Sequence, residues 1–137
     1  MVVKEYELKE DINVFYVQAE IFPEDIPNTF TKLETLLGVS MKKRKIYGIT
    51  ACLGDKLVYR ACIKEETKGE GKQYGLATYA VPKGIHLYTT LENWAENLDQ
   101  IPKIFDQLMT LPNVKKQSIC LEDYTEGADM KALVQQA

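Results

Sequence analysis

One eleven-residue pattern constrains this chain more than any other feature, because it occurs twice. Ile26-Pro27-Asn28-Thr29-Phe30-Thr31-Lys32-Leu33-Glu34-Thr35-Leu36 returns seventy-five residues later as Ile101-Pro102-Lys103-Ile104-Phe105-Asp106-Gln107-Leu108-Met109-Thr110-Leu111, sharing Ile-Pro-x-x-Phe-x-x-Leu-x-x-Leu. Repetition at a fixed offset marks a structural unit used twice. Each copy reads as an amphipathic helix: Ile26, Phe30, Leu33 and Leu37, and likewise Ile101, Phe105 and Leu108 with Met109 and Leu111 beside them, fall three and four residues apart on one stripe. Pro27 and Pro102 suit a first helical turn, whose N–H groups have no intrahelical partner, and Asp25 and Asp99 complement its positive end. Gly38 and Pro112 mark the stops.

The segments around these helices read as strands. Residues 12–22 are rich in β-branched and aromatic side chains and lead into the first helix. Ile46–Leu53 and Lys56–Lys64 flank Gly54-Asp55, a hairpin turn whose glycine supplies positive φ. With Leu53 opposite Lys56, one face pairs Cys52 with Leu57, Thr50 with Tyr59, Gly48 with Ala61 and Ile46 with Ile63. The other pairs Ala51 with Val58, Ile49 with Arg60 and Tyr47 with Cys62. Both faces are largely apolar, so the one without helices needs a cover: the other repeat, a partner chain or a ligand.

The polar run from Lys64 to Gln73 separates the copies. Beyond it, Tyr74–Val81 reads as a strand that turns at Val81-Pro82-Lys83-Gly84 and returns as Ile85–Thr90. Then either a helix capped by Thr90 runs past Trp94 and kinks at Pro102, or the helix begins near Asp99. Lys116–Tyr124 and Met130–Gln136 close the second copy around Gly127-Ala128-Asp129. The expected fold is α+β, a tandem strand-helix-strand-strand repeat forming an antiparallel sheet with two helices on one face. It is one domain over 1–137, with repeat one at 11–64, a linker at 65–73 and repeat two at 74–136.

Length and composition fit one soluble globular unit: 45% hydrophobic and 27% charged residues, with net charge −3. That balance gives no general attraction to phosphate backbones, so no direct nucleic-acid binding is expected, and Lys42-Lys43-Arg44-Lys45 reads as a solvated loop. The start lacks a signal-peptide pattern and no run is long enough to span a membrane, so the expected location is cytoplasmic. Cys52, Cys62 and Cys120 lie in apolar strand patterns and read as reduced core thiols. A catalytic cysteine would have to be served by His86, the one histidine.

No motif for nucleotide, metal or covalent chemistry is present, and no cofactor is expected. The segment that carries chemistry is Ser118-Ile119-Cys120-Leu121-Glu122-Asp123-Tyr124, where Glu122 shares a face with Cys120 and Tyr124. An acid there is either in water at a strand end or held in a cavity, where a carboxylate is costly unless protonated, hydrogen-bonded or paired with a cation. Aromatic walls would let flat or cationic molecules stack. Trp94, Tyr47, Tyr59, Tyr79 and Tyr88 are the candidates for such walls.

The duplicated layout, Tyr59-Arg60-Ala61-Cys62-Ile63, Tyr79-Ala80-Val81-Pro82-Lys83-Gly84 and Cys120-Leu121-Glu122-Asp123-Tyr124 together resemble the GyrI-like (gyrase-inhibitor-like) small-molecule-binding domain, also the effector-binding domain of AraC- and MerR-type transcription activators. The resemblance covers nearly the whole chain and implies a ligand cleft between the repeats, lined with aromatics, with Glu122 and Tyr124 facing hydrophobic or cationic ligands. With no room for a helix-turn-helix domain, it implies a free-standing version. Some stand-alone relatives hydrolyse cyclopropane-type electrophiles with a tyrosine and a glutamate, so the family leaves open both a binder and a hydrolase. A protein partner, either a topoisomerase as the family name suggests or a second copy, stays open beside them.

Overall fold

The computed structural model describes residues 1–38 and 43–137. Its strands are β1 (Lys4–Leu8), β2 (Ile12–Gln18), β3 (Ile46–Leu53), β4 (Lys56–Lys64), β5 (Ala77–Val81), β6 (Gly84–Leu91), β7 (Cys120–Glu126) and β8 (Asp129–Gln135). The helices are α1 (Ile26–Leu37), α2 (Glu70–Gln73) and α3 (Gln100–Met109), with a 3₁₀ turn at Trp94–Glu96. All eight strands form one antiparallel sheet in the order β1-β6-β8-β7-β3-β4-β2-β5. The fold is thus α+β, and its order reads alike from both ends: β3-β4-β2 with α1 on one side, β7-β8-β6 with α3 on the other. The two units meet where β3 pairs with β7, setting Gly48 opposite Glu122 and Ile49 opposite Leu121.

The β3–β4 register is the one the Gly54-Asp55 turn dictates, from Leu53 opposite Lys56 to Ile46 opposite Ile63. One face carries Phe15, Ala61 and Ile63 beneath Leu33 and Leu37 of α1, and Leu87, Met130, Ala132 and Val134 beneath Phe105 and Leu108 of α3. Leu36, in the shared pattern, is exposed, because it points away from the sheet. The opposite face gathers Val14, Tyr47, Ile49, Cys62, Leu121 and Leu133. The sheet covers this second face itself by curling, with Leu8, Ile12, Tyr16, Tyr79 and Tyr88 packing onto the central strands.

The structure corrects several local expectations. β5 and β6 do not pair across Pro82-Lys83: β5 pairs with β2 and β6 with β1, so each half receives a strand from the other. The two crossings lie side by side, Leu8 opposite Gly84 and Ile12 opposite Val81, and Lys83 N donates to Asp11 Oδ1 at 2.7 Å between them. The helix of the second copy begins at Gln100, after β6 and the 3₁₀ turn, and β7 begins at Cys120, because residues before it are held by Ser118 Oγ accepting from Gln135 N. Cys52 is exposed near the hairpin tip, so only Cys62 is a fully buried thiol.

The polar linker is also more ordered than its composition suggests. Lys42 lies outside the described residues, but Arg44 is no solvated residue: its side chain is 5% exposed. Its guanidinium donates to both carboxylate oxygens of Glu70, at 2.8 and 2.7 Å, and to the Lys64 carbonyl at 2.8 Å, with Glu66 2.8 Å from Nε. The guanidinium hydrogen bonds hold Glu70 below the usual carboxylate range, so this clasp is lost as pH falls through that lowered value. Removing one partner strands a largely buried charge, whereas removing both does not. Arg44→Ala is therefore expected to lower unfolding free energy by about 2–4 kcal/mol in urea titrations. The double variant Arg44→Met with Glu70→Leu is expected to lose less; an equal or larger loss would show that the charges are not what holds α2.

Candidate functional site

The two copies of the repeated pattern use their first residues differently from their last. Leu33, Leu37 and Leu108 sink into the core, while Ile26, Pro27, Ile101 and Pro102 are left facing each other across a cleft between α1 and α3. The cleft has a volume of about 670 Å³. Phe30 and Glu34 extend the α1 wall, Trp94 and Leu98 close the other side, and Tyr59, Glu122 and Tyr124 lie along the sheet side.

Glu122 is 6% exposed. Strand alternation turns it toward the helices together with Tyr124, and the β3–β4 and β3–β7 registers bring Tyr59 to the same place. Both phenols donate to one carboxylate oxygen: Tyr59 Oη to Oε1 at 2.9 Å and Tyr124 Oη to Oε1 at 2.5 Å. Among the described residues no group bonds Oε2, and no cation pairs with Glu122 or with Glu34. Burial raises the Glu122 carboxyl above the usual range, against the opposing effect of the two phenol hydrogen bonds. Burial and the neighbouring carboxylate push both phenols far upward, so they act as proton donors at any physiological pH.

The three groups converge because Gly48 has no side chain. A Cβ there would collide with the Tyr59 hydroxyl and stand 2.6 Å from Glu122 Oε1. A glycine inside a strand signals such a close approach; that was the available cue to Gly48. Aromatic packing fixes the rest. Phe22 stacks on Tyr59 at 6.1 Å and Phe30 meets it edge-on at 6.2 Å. Trp94 crosses Tyr124 at 4.7 Å, while its Nε1 donates to the Gly127 carbonyl at 3.3 Å.

Of the candidate residues, Glu122, Tyr124, Trp94 and Tyr59 therefore line one cleft. Tyr47, Tyr79 and Tyr88 lie on the opposite, curled face. Tyr47 borders a separate cavity of about 230 Å³ there, beside buried His86, and Tyr79 and Tyr16 flank the Arg60 guanidinium. Burial pushes the Cys62 thiol upward and Cys120 to about 11, so neither is a thiolate near neutrality. Among the described residues, no group of three or more His, Cys, Asp or Glu side chains is placed to hold a metal ion, and no helix is long and apolar enough to cross a membrane.

No family model matches the chain, and no curated protein matches it. Solved structures share its fold. A Vibrio cholerae integron cassette protein, VCH_CASS2, aligns with TM-score 0.66 and 14% identity over 98% of this chain and 95% of its own. SAV2435, solved bound to tetraphenylphosphonium, aligns with TM-score 0.73 and 9% identity over 100% and 94%. A Listeria innocua hydrolase aligns with TM-score 0.60 and 7% identity over 98% and 91%.

Two consequences are measurable. Gly48→Ala is expected to separate Tyr59 from Glu122 and to lower the melting temperature by several degrees, a core overpacking cost of about 1–3 kcal/mol. An unchanged melting temperature would mean that the two side chains do not meet over Gly48. The second concerns pH. The folded protein holds the Glu122 proton more tightly than the unfolded chain, whose carboxyl titrates near 4.5. Across the window from that value up to the folded one, the unfolded chain loses its proton first, so stability falls as pH rises. Glu122→Gln is expected to melt higher than the parent at pH 7, with the gain shrinking toward pH 4; a lower melting temperature at pH 7 would show that the carboxylate is well accommodated.

Proposed function

We propose that this chain is a small-molecule-binding protein whose cleft takes hydrophobic, aromatic and cationic ligands, with Glu122 as the acid that recognises the cation. The observation that carries this reading is a buried carboxyl at the base of a largely apolar cleft, with no cation beside it among the described residues. A lipophilic cation entering the cleft covers apolar surface, stacks on the rings of Tyr124 and Trp94, and supplies the countercharge to Glu122. Each ring contact contributes about 0.5–2 kcal/mol, and the remaining Glu122 oxygen, Oε2, is available to the ligand. Tyr47, Tyr79 and Tyr88 would not touch the same ligand.

Two lines support it. SAV2435, which shares the fold, is bound to tetraphenylphosphonium, a cation of this kind, and the GyrI-like resemblance implies the same ligand class. On this reading residues 1–137 form a cytoplasmic effector-binding domain whose ligand state is read by a regulatory or stress-response system. A hydrolase reading has one specific support, the hydroxyls of Tyr59 and Tyr124 on Glu122, which form a proton-transfer group suited to an electrophile.

Fluorescence of Trp94, the sole tryptophan, tests the reading directly. Tetraphenylphosphonium is expected to quench it saturably, and Glu122→Gln to weaken that binding at least about ten-fold while leaving neutral triphenylmethanol unchanged. Equal affinity of the cation for both proteins would overturn the assignment of Glu122. Multiple turnover of a cyclopropane-type electrophile, abolished in Glu122→Gln, would transfer the site to the hydrolase reading.

A further inference from the structure

The second carboxylate of the cleft gives its walls a polarity that the repeat alone would not produce. Ile26, Phe30 and Glu34 stand one helical turn apart on α1, in the row that borders the cleft. At the corresponding offset α3 carries Ile101, Phe105 and Met109, and Met109 does not line the cleft. One wall therefore ends in an acid where its counterpart ends in an apolar side chain.

Glu34 and Glu122 differ in depth as well as position. Glu122 is buried on the sheet, whereas Glu34 is exposed on the helix, about 6 Å along the axis beyond Phe30. Phe30, one turn before Glu34, meets the Tyr59 ring with centroids 6.2 Å apart, and Tyr59 in turn donates to Glu122. Among the described residues the lining includes these two acids and no Lys, Arg or His. Among the described residues Glu34 has no ion-pair partner, whereas its neighbour on α1, Lys32, sits 3.7 Å from Glu20.

We propose that the cleft selects elongated aromatic dications, with one cationic head at Glu122, the flat body along Phe30, and the second head at Glu34. This rests on the cation-binding reading of the cleft and adds Glu34 as the residue that sets preference for two charges over one. A neutral or singly charged end leaves Glu34 in water at no gain.

The test uses a matched pair, an aromatic bis-amidine and the same molecule with one amidinium replaced by a neutral carboxamide, titrated by Trp94 fluorescence against the parent and Glu34→Gln. Glu34 is exposed, so the substitution leaves the core untouched. The parent is expected to favour the bis-amidine. Glu34→Gln is expected to reduce that preference about two- to five-fold, the range of an exposed ion pair, because it weakens the bis-amidine more than the mono-amidine. Added salt is expected to erode the preference in the parent more than in the variant. A preference unchanged in Glu34→Gln, or absent in the parent, while the mono-amidine and tetraphenylphosphonium still bind, overturns the role of Glu34 alone. Failure of all three cations to bind the parent overturns the cation reading with it.

Discussion

A carboxyl group removed from water has to be compensated, and the way Glu122 is compensated organises this protein. Two phenols donate to the same oxygen, and they reach it only because Gly48 leaves the space empty. The arrangement is incomplete by design of its charges: hydrogen bonds soften the desolvation, but burial still raises the carboxyl. A protein cation at this point would have made a stable ion pair and filled the site. Among the described residues no cation takes that place.

The duplication explains how a cleft comes to lie above that acid. Each helix follows the first strand of its unit and lies over that unit's own strands, so α1 and α3 sit on the same face. The later residues of each pattern anchor the helix, and the opening Ile-Pro pairs are left on either side of the gap. Symmetry builds the walls, and departures from symmetry give them chemistry: Glu122 faces Gly48 across the central pairing, and Glu34 stands where the other copy has Met109.

Local signals were legible in the sequence, and long-range ones were not. Gly54-Asp55 fixed the β3–β4 register residue by residue, and Pro27 marked the start of α1 within a residue, while the start of α3 stayed open between Thr90 and Asp99. Alternation placed Glu122 with Tyr124, and the same register already set Tyr47 on the face opposite Tyr59. What alternation cannot supply is which face the helices cover, so five aromatic candidates were drawn from both sides of the sheet. The strand exchange was hidden because Pro82-Lys83 looks like any tight turn, while β5 and β6 find partners far away in sequence. Arg44 looked like part of a solvated basic run because nothing local shows that Glu70, far along the chain, will take its charge. Gly48 and Glu34 escaped for a related reason: each matters through a contact or a void that only tertiary structure creates.

The exchanged strands carry a last implication. Because β1 completes the half that contains β6, and β5 completes the half that contains β2, neither half owns all of its sheet. An ancestral half-length chain built on this plan would have left the backbone of β2 or β6 bare along one edge, a template for joining another copy. Fusion of two such halves turns that intermolecular hazard into an internal closure. It also commits the two walls of the cleft to a fixed mutual distance, so the gap between α1 and α3 inherits the rigidity of a hydrogen-bonded sheet rather than the looseness of two docked subunits.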